Sequence, residues 1–178
     1  MSLRAARRWT SAGKQAIRPL QWLAPENQEL RQLACPFFMP TRKFEGGGWL
    51  HPSRLPLGAG WRGVCTASPS PFEQTVPTDD QVRECCNLGY ASNCPHLPAQ
   101  RAWDAVRFAV ARDSKERIVL WYVCEMGHHP AEHGVLEYET GPSRWTLRHR
   151  DSRVQKMAEC YLECYMERTR AGAAAATS

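Results

Sequence analysis

Seven prolines and six glycines fall between positions 35 and 77. Each proline fixes φ and removes a backbone donor, and glycine weakens a helix or strand interior. Pro36, Pro40, Pro52, Pro56, Pro69, Pro71 and Pro77, with Gly46-Gly47-Gly48, Gly58, Gly60 and Gly63, leave room for few regular elements. Yet Phe37, Phe38, Phe44, Trp49, Leu50, Leu55, Leu57 and Trp61 share the stretch. A long irregular segment so rich in large apolar side chains packs on something or organises a site. With so few hydrogen-bonded elements, such a segment needs another source of order. The cysteines in and beside it are the first place to look.

The remainder reads as an ordinary scaffold. Thr78 is a good N-cap, Asp79 and Asp80 favour the positive end of a helix dipole, and Gln81 completes a capping box. That helix runs through Val82, Cys85 and Cys86 and fails near Gly89. Trp103 to Ala111 alternates, with Val106, Phe108 and Val110 on one face, and Arg112 to Glu116 is a polar turn. Ile118 to Val123 is a continuous apolar run, expected as a central strand. Gly134 to Tyr138 and Arg144 to His149 give two more strands. A final helix is predicted over 152–170, with Val154, Met157, Ala158, Tyr161, Leu162, Tyr165 and Met166 on one stripe. Upstream, Pro25 to Leu33 gives a short helix. The expected fold is α+β: a small antiparallel β-meander covered by a C-terminal helix, with an irregular Pro/Gly/Cys-rich N-terminal half organised around a metal centre. The expected division is a basic arm over 1–24, one domain over 25–170 (cysteine-rich to 98, meander and helix from 99), and a disordered tail over 171–178.

Charge narrows the partners. Arg4, Arg7, Arg8, Lys14 and Arg18 are five of the 23 basic residues, and no acid precedes Glu26, so the rest balances its 18 acids. The net charge of +5 therefore belongs to the arm. An arm of this kind can touch nucleic acid or an anionic membrane surface, or act as an organelle-targeting segment, but it supplies no reading element. No run approaches the roughly 20 apolar residues of a membrane span. No secretory h-region is present either, so a cytoplasmic location is expected.

The cysteines stand at 35, 65, 85, 86, 94, 124, 160 and 164. No Cys-x-x-Cys pair occurs, which argues against zinc ribbons, zinc fingers and thioredoxin-type redox motifs. Four regions remain beside the irregular half: Cys35, Cys65, Cys85/Cys86 and Cys94. Proline follows Cys35 and Cys94, as it follows a ligand cysteine in bacterial ferredoxins. An iron–sulfur cluster takes thiolates from loops far apart in sequence, whereas structural zinc ligands usually come in close pairs. Glycines let backbone approach such a cluster, and prolines and aromatics keep water out. The expectation is one [4Fe-4S] cluster held by Cys35, Cys65, Cys85 or Cys86, and Cys94, in a small protein with a redox, electron-transfer or sensing role and a redox or protein partner. The alternative is zinc on the same cysteines, in an interaction module without redox activity. Disulfides and plain core filling are the other uses of so many thiols. Cys160 and Cys164 lie beside the apolar stripe of the last helix and read as core or flank residues. Cys124 is the reserve ligand.

Arg54-Leu55-Pro56-Leu57-Gly58 leading to Cys65, and Cys86-Asn87-Leu88-Gly89-Tyr90-Ala91 leading to Cys94, carry a resemblance. With Cys35-Pro36-Phe37-Phe38 they are similar to an uncharacterised family of small bacterial cysteine-containing proteins. The similar stretch covers about the first half of the fold. It implies Cys86 rather than Cys85 as the ligand, and it implies no activity.

His128, His129 and His133 form a second group, after Cys124. Pro130 prevents the helix that a zincin motif needs, so the group reads as a polar inter-strand loop, with a second metal site or proton relay as the functional reading. Paired acids, a phosphate-binding loop and a serine nucleophile elbow are all lacking. Five of the seven tryptophans fall in predicted strands or in the breaker-rich segment, where burial explains them better than base stacking.

Overall fold

The computed structural model describes residues 33–44, 54–67 and 74–175. The basic arm, nearly all of the predicted 25–33 helix, Gly46-Gly47-Gly48 and the last three residues lie outside them. In order come strands β1 (Phe38–Lys43) and β2 (Trp61–Cys65), helix α1 (Asp79–Gln81), a π-helical turn (Val82–Cys86), strands β3 (Ala105–Asp113), β4 (Arg117–Met126), β5 (His129–Glu139) and β6 (Arg144–Leu147), and helix α2 (Ser152–Ala175). The fold is α+β, with an antiparallel meander of order β3-β4-β5-β6 and a C-terminal helix. Among the described residues no helix is long and apolar enough to cross a membrane.

Three departures in the meander have physical causes. β5 begins at His129, not Gly134, because Gly127 and His128 both take positive φ (55° and 66°) and close a two-residue hairpin. Pairing resumes at once, with Met126 opposite His129. Pro130 survives in the strand because the register shifts between Cys124 and Glu125, beside it. The expected polar loop at His128 to His133 is thus a turn and a strand. β4 is interior to the sheet, but only one of its faces is covered: Ile118, Leu120 and Cys124 are buried, while Trp121 is 51% exposed. β3 continues through Arg112 and Asp113, past a register shift after Val110, where a polar turn was expected.

The breaker-rich half keeps more order than its composition suggests. β1 contains Pro40 and β2 contains Gly63, and these two residues face each other. Pro40 again sits where the register shifts, which spares a ladder hydrogen bond. Gly63 is required there because a Cβ would collide with the Met39 carbonyl. The Thr78 capping box forms: its side chain accepts from Gln81 N–H, and the Gln81 side chain accepts from Thr78 N–H.

Both halves share one core. Phe38, Leu57 and Trp61 join Val106, Ile118, Leu120, Leu136, Val154, Met157 and Leu162 in a single buried cluster. Helix α2 packs on β1 and β3, and Glu163 pairs with Lys43 of β1 at 3.0 Å. Its stripe is as expected, widened by buried Cys160 and Cys164. The helix runs on through Ala175, so 171–175 are helical rather than a disordered tail. Ala171 and Ala173 to Ala175 are strong helix formers, which explains the extension.

Candidate metal centre

Each cysteine of the first half is delivered by a different local device. Cys35 precedes β1 and its carbonyl accepts from Phe38 N–H at 3.2 Å. The preceding Ala34 exchanges two backbone hydrogen bonds with Val106, which pins this entry to the meander. Cys65 ends β2 and is bridged to Thr75. Cys85 and Cys86 end the π-helical turn. The buried Asn87 then ties that turn to β2, accepting from Trp61 N–H and donating to the Trp61 carbonyl, both at 2.9 Å. Cys94 follows a loop whose Tyr90 takes φ 57°. Tyr90 is held from several sides: its N–H donates to the Asp104 carbonyl, its hydroxyl donates to Glu125 at 3.1 Å, and it accepts from His128 N–H at 2.8 Å. Its ring stacks on His128 at 4.1 Å. The β4–β5 hairpin thereby supports the cysteine loop.

Cys35, Cys65, Cys86 and Cys94 line one cavity, together with Cys85. Phe37, Phe38, Ala67 and Leu97 complete its wall with exposed His96. Burial pushes the Cys35 thiol up to about 11, helped by Cys65 and Cys94. Burial also raises Cys65, Cys85 and Cys86, and neighbouring thiols add to each. Against this, the N–H groups of Phe37 and Phe38 are directed at the Cys35 sulfur, and Ala67 N–H at the Cys65 sulfur. The i+2 donor recurs at both cysteines. Donors of this kind stabilise a thiolate and are what tunes a sulfur-ligated metal. Arg153 stands near Cys35 and over the Phe37 ring, 5.5 Å from its centroid.

The donor set suits a thiophilic metal: soft sulfurs, apolar walls and backbone N–H groups. Among the described residues, no group of three or more His, Cys, Asp or Glu side chains is arranged to hold a metal ion as it stands. The space between the thiols is about 10 Å³, close to one water. A larger group requires the side chains to turn outward.

The other sequence candidates lie apart. Cys124, Cys160 and Cys164 are core residues, and burial pushes Cys124 and Cys160 up to about 12. His128, His129 and His133 are exposed, and no metal-holding group forms there among the described residues. Sequence reasoning weighed Cys85 as the alternative to Cys86, and both thiols line the cavity. It passed over His96, two residues after Cys94, and the Tyr90–Glu125 support, which has no local sequence signature. Comparison with protein-family models, with curated proteins and with solved structures found no match.

Proposed function

We propose that this chain is a small iron–sulfur protein holding one [4Fe-4S] cluster through Cys35, Cys65, Cys86 and Cys94, with a redox, electron-transfer or sensing role toward a protein partner. The observation that carries it is the convergence of cysteines from four separate segments on one apolar cavity. Four thiols from dispersed loops are the ligand pattern of a cluster more than of a structural zinc. The cluster would supply one-electron exchange. The chain's own part is to hold four thiolates, to direct the Phe37, Phe38 and Ala67 N–H groups at two of them, and to exclude water with Phe37, Phe38 and Leu97. A second reading, zinc on the same cysteines in an interaction module, is favoured by the small volume between the thiols.

Anaerobic purification, a visible spectrum, and iron, sulfide and zinc analysis on one sample test the proposal. About four irons per chain and an absorbance that bleaches with dithionite are expected. Cys86→Ala or Cys94→Ala should abolish the colour, and Cys160→Ala should keep it. A colourless protein with about one zinc establishes the second reading instead. Neither metal, after reconstitution with iron and sulfide, defeats both.

A further inference from the structure

Five thiols line a cavity that the proposed cluster would use four of, and Cys85 is the one left over. It stands immediately before Cys86 on the π-helical turn, closed by Asn87 N–H donating to the Val82 carbonyl at 3.4 Å. A π turn rotates less per residue than an α turn, so consecutive side chains stay nearer one face. Two turns then bring the chain back: Leu88 N–H donates to the Cys85 carbonyl at 3.1 Å, and Cys94 N–H to the Ala91 carbonyl at 2.9 Å. Cys85 and Cys94 line the same cavity, and burial and the neighbouring Cys94 thiol raise the Cys85 thiol. Cys94 is half-buried and Cys85 is 7% exposed. One thiol of the pair meets solvent, and the other stands behind it.

We infer that Cys85 and Cys94 are a redox pair: in the metal-free chain, a small-molecule disulfide of the glutathione class converts them to an intramolecular disulfide that closes the cavity to metal. The inference rests on the four-thiol reading above for its claim that Cys85 is spare and that Cys94 is shared. Cys94, as thiolate, attacks one sulfur of the small disulfide, forming a mixed disulfide and releasing one small thiolate. Cys85 then loses its proton and attacks the Cys94 sulfur, forming the Cys85–Cys94 bond and releasing the second. Two protein thiols are oxidised by two electrons, and one small disulfide is reduced to two thiols. Because Cys94 serves both states, loading and oxidation exclude each other.

The test is incubation of the full chain, metal-loaded and metal-stripped, with glutathione disulfide, followed by alkylation of free thiols and peptide mapping. Cys85, Cys86 and Cys94 share the peptide Glu84–Arg101, so Cys86→Ser is mapped alongside. The stripped chain should show a bond within this peptide that Cys86→Ser retains and dithiothreitol reverses. The loaded chain should show none. Cys85→Ser should stop at a glutathione adduct on Cys94 and keep its metal within about twofold. A bond from Cys94 to Cys35 or Cys65, or a bond lost in Cys86→Ser, overturns the inference, as does loss of metal from Cys85→Ser. A chain that takes up no metal yet forms the Cys85–Cys94 bond sinks the cluster reading and leaves the redox pair standing.

Discussion

The two halves of this molecule hold their backbones in different ways. In the meander, β3 to β6 share continuous antiparallel ladders, and β4 is paired along both edges over nearly its whole length. Among the described residues of the cysteine-bearing half, the ladder is one five- to six-residue pair, β1 with β2, and beside it stand a short helical segment over 79–86, turns and single bridges. Two ties on those turns are borrowed from the meander, Ala34 to Val106 and Tyr90 to Asp104 and Glu125, and two are internal, Gly89 N–H to the Leu33 carbonyl and Asn87 to Trp61. The difference teaches where order comes from. The sheet supplies its own, and the cysteine half adds to a short ladder and a few internal ties its contacts with the sheet and, on the proposal above, its metal.

The sharpest way to break that contrast is to remove the metal. Chelation should raise amide exchange around Cys35, Cys65 and Cys86 by one or more orders of magnitude while β4 and β5 keep their protection. Equal loss in both halves would erase the distinction. Next in size is Leu120→Ala, at a fully buried sheet position, which should cost about 2–5 kcal/mol in denaturant unfolding and leave metal content unchanged.

A pH effect follows from the buried thiols. Burial lifts Cys124 from its ordinary 9.0 to about 12, and Cys35 to about 11. Above pH 9 the unfolded chain releases these protons while the folded chain keeps them, so stability is intact below pH 9 and falls as pH rises toward the folded values. For fully buried Cys124 the slope is at most about 1.4 kcal/mol per pH unit. Denaturant midpoints of the metal-free chain at pH 8, 9 and 10 check this, and Cys124→Ala should flatten the decline. The smallest expected effect is Thr78→Ala, which removes the cap below the π-helical turn and should cost about 1 kcal/mol, read by thermal or denaturant unfolding.

Much of the sheet half was legible because periodicity reports burial. Val106 and Phe108 and the α2 stripe face inward as their spacing predicts, whereas the continuous apolar run of β4 is buried only at alternate positions such as Ile118 and Leu120. The stretch from His129 to Ala131 was not legible, because it is exposed and shows no apolar alternation. Pro40 and Pro130 misled for one reason: a proline excludes a ladder hydrogen bond, but a bulge removes the need for it. At the candidate centre, the grouping of Cys35, Cys65, Cys85/Cys86 and Cys94 followed from residue chemistry and their place beside the breakers, and the choice of Cys86 from the resemblance. The presence of both Cys85 and Cys86 at the cavity did not follow, because an α-helical reading turns consecutive cysteines farther apart than the π-helical turn does.

By itself the sequence determined an α+β chain with a capped helix start at Thr78, a C-terminal amphipathic helix, and a first half too poor in backbone donors to stand on ladders alone. Those are local properties, carried by side-chain spacing, fixed φ angles and caps. Only the tertiary structure decided that five thiols meet, that Tyr90 rests on the β4–β5 hairpin, and that Cys124 stands in the core apart from them. These are long-range pairings, such as Ala34 with Val106 and Asn87 with Trp61, and they form only when packing brings distant segments to one place.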